Sequence, residues 1–391
     1  MKKIIIYICI FLLLIVLAYT CNISNIPSSV ILLEGETLSL NTLFGVKTVQ
    51  ASSNTAESNN NKVNIELSFL GGFTLKQIDV NVLPETKVVP IGKVIGLKLY
   101  TNGVLIVGMT EIDGEKPYEY TGLKEGDTIL EINNTEIDSI EKLKEVVNKS
   151  NGEELELKYL RDGTISVSNI KPVQTNTDEY KLGLWVRDAA TGVGTITYYE
   201  PESGKFAALG HGIVDVDTEK LIDIESGEVV TSSIVAIKKG EQGIPGEIKG
   251  TIMNQTNIGE VTKNTDFGIY GNLTNTASLN INSQKAIDVA LRSEIKTGNA
   301  KVLCTLENGV TKEYDIEIKK IYANNNSDNK SMLIKVTDED LLNQTGGIIR
   351  GLSGAPIIQN GKFCGAVTHV LVSDPTMGYA VFGDLMIKEM N

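Results

Sequence analysis

The sequence predicts a mainly β chain with one α+β domain in its first half and an apolar segment at its amino terminus. Residues 4–18 form an unbroken apolar run behind Lys2 and Lys3. A short amphipathic helix pattern lies near residue 140, and the sequence after residue 180 is rich in strand and turn patterns. The length of 391 residues leaves room for two or three domains of ordinary size.

Composition excludes several classes of function. The net charge is −13, which argues against nucleic-acid binding because that depends on Lys and Arg. His211 and His369 are the only histidines, so we expect no mechanism that needs two or three imidazoles in one site. Cys304 and Cys364 belong to no C-x-x-C pair, and we expect buried free thiols there, with a disulfide as the alternative.

The amino terminus, residues 1–21, is predicted to be a signal anchor that crosses the membrane. A short basic start followed by an apolar run is typical of secretory signals and signal anchors. A cleaved signal and a lipoprotein signal ending at Cys21 are the alternatives. All three place the rest of the chain outside the cytoplasm.

Residues 22–62 are predicted to be a linker, since residues 51–62 are polar apart from alanine. Residues 63–87 alternate apolar and polar side chains and predict a small β segment, with a turn at Gly71 and Gly72.

Residues 88–175 resemble a PDZ domain. The resemblance rests on residues 122–133, Gly-Leu-Lys-Glu-Gly-Asp-Thr-Ile-Leu-Glu-Ile-Asn. Asp138 is predicted to cap a helix of about ten residues, with Glu141 completing a capping box. The resemblance implies a peptide partner, and the loop and strand expected to bind a peptide terminus are Gly96, Leu97, Lys98 and Leu99.

Residues 176–391 carry the candidate chemistry, beginning with Ser353. Gly351 and Gly354 flank this serine and allow a sharp turn and close approach of a ligand. An α/β-hydrolase elbow needs a helix directly after the serine. Here Asn360-Gly361 instead predicts a β-hairpin, which favours a chymotrypsin-like double β-barrel.

A nucleophilic serine needs a base, and His211 is the only histidine before Ser353. Two aspartates compete for the third position. Asp338 lies shortly before Ser353, whereas Asp266 heads an apolar stretch between His211 and Ser353. The chain order His, Asp, Ser is that of chymotrypsin and fits both.

Other site residues follow from the same architecture. The backbone N–H groups of Gly351 and Ser353 are predicted to form an oxyanion hole. His369, soon after Ser353, is predicted to line the specificity pocket and to recognise a Glu or Gln side chain of the substrate. The alternative is a structural histidine in the core. We expect no cofactor and no metal, because Asp215 and Asp217 near a single histidine are weak evidence for a metal site.

The chain as a whole resembles the stage IV sporulation protein B family, membrane-anchored signalling serine peptidases of endospore-forming bacteria. The resemblance rests on the short amino-terminal anchor, the PDZ domain, residues 208–212 (Ala-Leu-Gly-His-Gly) and the run of residues 335–379. Within that run, residues 351–362 and 365–370 are the most specific. It implies a triad of His211, Asp338 and Ser353. Ala355 departs from the serine that the family pattern has at this position.

The resemblance also implies a role. The peptidase would act in the forespore intermembrane space, cleaving itself and a membrane-bound inhibitor of an intramembrane protease, which leads to sigma-factor processing. An inactive PDZ scaffold and a general extracytoplasmic quality-control protease are the alternatives. Quality-control proteases usually carry the PDZ domain after the protease domain, whereas here it comes first.

Overall fold

The computed structural model describes residues 29–33, 37–42, 45–50, 62–69, 73–252, 256–306, 309–322 and 329–391, together with Tyr7 and Ile10. Apart from Tyr7 and Ile10, the predicted anchor therefore lies outside the described residues, as do most of the linker, the Gly71-Gly72 turn and residues 323–328. In the part that is described, no helix combines the length and apolarity needed to cross a membrane.

The first strands of the chain form two small sheets: β5 pairs with β1 and β4, and β2 pairs with β3. Their bounds are β1 (Ser29–Leu33), β2 (Thr37–Thr42), β3 (Gly45–Gln50), β4 (Lys62–Phe69) and β5 (Phe73–Leu83). The strands β4 and β5 are the two that the alternating pattern of residues 63–87 predicts.

The next elements build the PDZ region and lead out of it. They are β6 (Lys87–Met109), β7 (Thr128–Ile132), β8 (Thr135–Glu136), α1 (Ile140–Lys149), β9 (Leu155–Arg161), β10 (Thr164–Ile170), β11 (Val173–Gln174), β12 (Tyr180–Lys181) and β13 (Leu184–Tyr199). The sequence predicts an apolar stripe of Leu143, Val146 and Val147 on α1, and in the structure Leu143 and Val147 are buried and Val146 is half-buried. The cap is Ser139 rather than Asp138, because the Ser139 hydroxyl accepts the Lys142 amide at 3.3 Å.

A closed ring of six strands follows, and it includes β6 and β13 from the elements just given. The remaining elements are β14 (Lys205–Ala208), β15 (Ile224–Thr231), β16 (Ser233–Lys238), β17 (Glu247–Thr251), β18 (Asn257–Thr265), β19 (Gly268–Leu273) and, after two 3₁₀ turns, β20 (Ile287–Asp288). Pairing runs β6-β13-β14-β19-β18-β15, and β15 pairs back onto β6. We call this circuit the first ring.

A second ring of six strands, closed in the order β21-β22-β23-β26-β25-β24, follows along the chain. Its elements are β21 (Gly298–Thr305), β22 (Thr311–Ile321), β23 (Met332–Val336), α2 (Glu339–Thr345), β24 (Pro356–Gln359), β25 (Lys362–Val370), β26 (Met377–Phe382) and α3 (Gly383–Met390). In both rings the strands pair in the order first, second, third, sixth, fifth, fourth. The mainly β prediction and the hairpin after Ser353 are confirmed, since Asn360 and Gly361 join β24 to β25 with positive φ angles.

The two cysteines of the second ring are Cys304 on β21 and Cys364 on β25. Both are buried free thiols. Burial raises the pKa of Cys304 to about 12 and that of Cys364 to about 11, so neither forms a thiolate readily.

Candidate active site

Ser353 lies in the loop that enters β24 of the second ring. Its hydroxyl donates a 2.7 Å hydrogen bond to the carbonyl of Thr368 on β25. This bond fixes the hydroxyl at the edge of the second ring. The carbonyl that accepts it leaves no signature in the sequence, so sequence reasoning missed Thr368.

The serine loop presses against strand β13 of the first ring. The Thr195 amide donates to the Ser353 carbonyl at 3.3 Å, and the Thr195 hydroxyl donates to the Gly351 carbonyl at 2.7 Å. Gly354 has a φ of +96°, and a Cβ atom there would lie 2.2 Å from the Thr195 carbonyl oxygen. Only glycine fits such an approach, so Gly354 allows the serine loop to dock between the rings.

The predicted oxyanion donors are open to a ligand. The Leu352 amide, between the two predicted donors, donates to the Ile349 carbonyl. The Gly354 amide, just after them, donates to the Val367 carbonyl. Among the described hydrogen bonds, none uses the N–H of Gly351 or Ser353. Two unoccupied amides on one loop beside a serine hydroxyl can receive the negative oxygen of a tetrahedral intermediate.

His211 follows β14 of the first ring and lies at the boundary with the second ring. The preceding Leu209 amide donates to the Thr195 carbonyl at 3.1 Å, so Thr195 contacts both the histidine loop and the serine loop. The His211 ring lies 5.3 Å from the ring of His369, centroid to centroid, and His369 follows Thr368 on β25. The fold thus places the His211 ring beside the part of β25 whose Thr368 carbonyl holds the Ser353 hydroxyl.

The tautomer of His211 is suited to a general base. Nδ1 lies 2.8 Å from the Gly212 carbonyl, and a carbonyl only accepts, so Nδ1 carries the proton. Nε2 then keeps its lone pair and can take a proton from a hydroxyl. Burial lowers the pKa of His211, and the Gly212 hydrogen bond offsets this only in part, so the ring is neutral near neutral pH.

The structure does not bring Asp338 to His211. The Asp338 carboxylate is the N-cap of α2: it accepts the amides of Asp340 and Leu341 at 3.0 and 3.1 Å, and the Asp315 amide at 3.2 Å. Burial alone would raise the pKa of Asp338, but these amide hydrogen bonds hold it below its usual range. The carboxylate is therefore satisfied by the helix end rather than by an imidazole.

Asp266 lies at the turn between β18 and β19, next to the histidine loop. A Cβ atom on Gly212 would lie 2.6 Å from the Thr265 carbonyl, and the Asn264 side chain accepts the Ile213 amide at 2.9 Å. The Asp266 side chain is exposed. Across the residues that the structure describes, no carboxylate is hydrogen-bonded to His211.

The residues predicted to bind a peptide, Gly96, Leu97, Lys98 and Leu99, are in the first ring rather than at a free edge. Leu97 pairs with Gly192 of β13 on one side and with Val229 of β15 on the other, and its neighbours do the same. A strand has two edges, and both are used here. This stretch therefore cannot take up an added peptide strand in the present fold.

Two closed rings that contribute a histidine and a serine to their shared boundary, with open amides beside the serine, define a serine peptidase. The chain belongs to the SpoIVB peptidase S55 family, whose sequence profile matches residues 178–387. A PDZ domain profile matches residues 89–171. The predicted family, the PDZ domain and the class of enzyme are confirmed.

A curated relative is the zinc metalloprotease RasP of Shouchella clausii, 37% identical over 90 residues. The match covers 22% of this chain and 21% of that relative, so the chain spans about a fifth of its length.

The similar solved structures are distant. The Rv3671c protease of M. tuberculosis in its active form has 14% identity and a TM-score of 0.29, with 51% of this chain and 73% of that chain covered. The HtrA-type protease AlgW with a decapeptide has 13% identity and a TM-score of 0.31, with 55% and 54% covered. The PDZ domain of the SdrC-like protein Lmo2051 of Listeria monocytogenes has 17% identity and a TM-score of 0.19, with 22% and 87% covered.

Proposed function

We propose that this serine peptidase is a membrane-anchored endopeptidase that cleaves itself and a membrane-associated regulatory protein during endospore formation. Catalysis is supported by the position of the His211 loop and the Ser353 loop at the boundary of the two rings. Both loops are hydrogen-bonded to Thr195. The Ser353 hydroxyl is bonded to Thr368, and the His211 ring lies beside that of the next residue, His369. Family membership supports the sporulation role.

The chemistry starts from the Ser353 hydroxyl, which must leave the Thr368 carbonyl and donate to His211 Nε2. The hydroxyl oxygen attacks the peptide carbonyl as its proton passes to His211, and the negative oxygen is received by the amides of Gly351 and Ser353. One such donor contributes roughly 3–4 kcal/mol to transition-state stabilisation. His211 then returns the proton to the leaving amine, and water hydrolyses the acyl-enzyme by the same steps in reverse.

A carboxylate is needed to stabilise the imidazolium that forms on His211. Asp266 is the better placed of the two candidates, because its turn adjoins the histidine loop while the Asp338 carboxylate caps α2. A side-chain rotation at the exposed Asp266 would be a smaller change than removing Asp338 from a helix end.

His369 is proposed to select the substrate residue before the scissile bond. It follows Thr368, whose carbonyl holds the nucleophile, and its ring lies beside that of His211. Mapping of cleavage sites with the His369→Ala variant tests this role. We expect a preference for Glu or Gln that the variant loses, and an unchanged preference would contradict it.

The proposed cellular setting is supported by the family and by the apolar amino-terminal segment. The chain would act outside the cytoplasm, in the forespore intermembrane space, with itself and a membrane-bound inhibitor of an intramembrane protease as substrates. Cleavage of that inhibitor would lead to sigma-factor processing.

The experiment that tests the enzymatic part is incubation of the full-length chain beside its Ser353→Ala twin. Fragments are followed by gel electrophoresis and mass spectrometry. The control variant is Ser283→Ala, which changes an exposed serine distant from Ser353 in the sequence. We expect self-cleavage by the parent and the control alone. Cleavage by a folded Ser353→Ala protein would contradict the assignment of the nucleophile.

A further inference from the structure

The site where a PDZ domain takes up a peptide is filled by the chain's own residues. PDZ domains bind an extended peptide as an added strand on a sheet edge. Here the added strand is the start of β13, which pairs antiparallel with the end of β6 in the register Leu184 to Met109 and Val186 to Ile106. We call residues 180–188 the groove strand; they lie beyond the PDZ match and inside the peptidase match.

The groove strand has the side-chain pattern of a bound peptide. Leu182 is buried in the PDZ core, and Leu184 and Val186 pack against the same core. The alternate residue Trp185 is 63% exposed. Apolar side chains thus enter the domain at every second position, as expected of a strand with one face on a core.

Helix α1 holds the groove strand at both ends. The Asn148 side chain accepts the Tyr180 amide at 2.8 Å near the last turn of the helix. The Asp188 carboxylate accepts the Ile140 amide at 2.8 Å at the first turn. The groove strand therefore runs along the whole helix, between α1 and β6.

The groove strand is also tied to the loop that carries His211. The Arg187 guanidinium is paired with Asp215, which is 1% exposed, and donates to Asp217 at 2.7 Å. Asp215 in turn accepts the amides of Asp217 and Thr218 at 3.0 Å. Arg187 thus joins the strand in the PDZ groove to the segment that directly follows the catalytic base.

The catalytic groups are in a resting arrangement while the groove is filled. The Ser353 hydroxyl donates to Thr368 rather than to His211. Nowhere among the described residues does a carboxylate bond to His211, whose Nδ1 is on the Gly212 carbonyl.

We propose that the groove strand is an internal ligand of the PDZ domain that holds the peptidase in this resting arrangement. An extended protein segment with apolar side chains at alternate positions, followed by an acidic residue, would displace residues 184–188, free Asp215 from Arg187 and raise the reactivity of Ser353. This inference rests on the proposed serine-peptidase mechanism, and Arg187 is a positioning residue in it.

The test uses the full-length chain and two readouts. Trp185 is the only tryptophan, so its fluorescence anisotropy reports the mobility of the groove strand. The rate at which a fluorophosphonate probe labels Ser353 reports activity. The release variant is Leu184→Asp with Val186→Asp, and its matched control is Ile165→Asp with Val167→Asp on β10, where both side chains are exposed.

We expect the release variant to show lower Trp185 anisotropy and roughly five- to tenfold faster labelling, the size of a typical coupling between sites. The control should match the parent in both readouts. Lower anisotropy with unchanged labelling would overturn the inference, as would unchanged anisotropy in a folded release variant.

A second variant keeps the test decisive if the release variant does not fold. Arg187→Gln leaves the groove strand in place and removes the link to Asp215. We expect parent anisotropy with faster labelling, and labelling at the parent rate would overturn the link. If no variant is labelled at all, the proposed mechanism fails, whereas the anisotropy still reports whether the groove strand is held as described.

Discussion

The two rings have the same strand order but differ in what joins their strands. In the second ring, only residues 306–310 separate β21 from β22, and Thr305 pairs with Thr311. In the first ring, the connection between β6 and β13 holds residues 110–171 of the PDZ match, which itself begins within β6. The connection from third to fourth strand carries His211 in the first ring and Ser353 in the second.

Because of this difference, the two proposed catalytic residues lie in rings with different surroundings. The proposed nucleophile, Ser353, lies in the second ring, where the Thr368 carbonyl accepts its hydroxyl. The proposed base, His211, lies in the first ring, whose first two strands continue into the PDZ domain. We therefore expect a change in that domain to act on His211 before Ser353, and the following experiments test this expectation.

The largest effect is expected at the base. His211→Gln removes the proton acceptor, and in comparable triads the loss of the histidine alone lowers turnover by about six orders of magnitude. The measurement is the rate of self-cleavage, with circular dichroism to show that the fold is kept. Self-cleavage at the parent rate would mean that the first ring does not supply the base.

The next effect separates the two candidate acids. Asp266→Asn should lower turnover about 10⁴-fold, the cost of losing the charge that orients a catalytic histidine. Asp338→Asn should leave turnover near that of the parent, because asparagine caps a helix as well as aspartate. The opposite result would assign the acid to Asp338 and require α2 to change its amino-terminal turn during catalysis.

The pH dependence tests the environment of His211. Burial lowers its pKa from the ordinary 6.5, and only the neutral form accepts a proton from Ser353. Fluorophosphonate labelling should therefore stay constant down to a midpoint below about 6.5 and then fall about tenfold per pH unit. A midpoint above that value would indicate a carboxylate already paired with His211 in the resting chain.

A smaller effect concerns stability alone. Asp338→Ala removes the N-cap of α2, and such losses cost about 1 kcal/mol of unfolding free energy. Urea denaturation measures it, with Asp338→Asn as the matched control that keeps the cap. Equal stability of the two variants would show that the cap contributes nothing.

The smallest effect is expected at the second contact between the PDZ region and the His211 loop. Lys220 pairs with Asp162 at 2.8 Å, but both side chains are exposed, in contrast to the buried Asp215. Exposed pairs contribute little. Lys220→Gln should leave labelling and thermal unfolding unchanged, and faster labelling would show that this contact also restrains the loop.

The sequence predicts what its local patterns determine. Asn360-Gly361 predicts the hairpin after Ser353, and the spacing of Leu143 and Val147 predicts the buried face of α1. Both are properties of short segments. The pairing of His211 with Ser353 as base and nucleophile rests on their chain order and their glycine neighbours, and it stays a prediction.

The sequence does not predict which strands share an edge. Gly96 and Leu97 match the peptide-binding stretch of a PDZ domain, yet long-range pairing with β13 and β15 takes both edges of that stretch. Family resemblance favours Asp338 as the triad acid, whereas its role as a helix cap can be recognised only when the start of α2 is known. The carbonyls of Gly212 and Thr368 act through the backbone and leave no pattern to detect.

The most direct measurement identifies the residue to which a fluorophosphonate probe attaches. The full-length chain is labelled and digested, and the modified residue is mapped by mass spectrometry. We predict modification of Ser353 alone, and its loss in His211→Gln, because the base of the first ring activates the nucleophile of the second. Modification of another residue, or labelling of Ser353 at an equal rate in His211→Gln, would contradict this account.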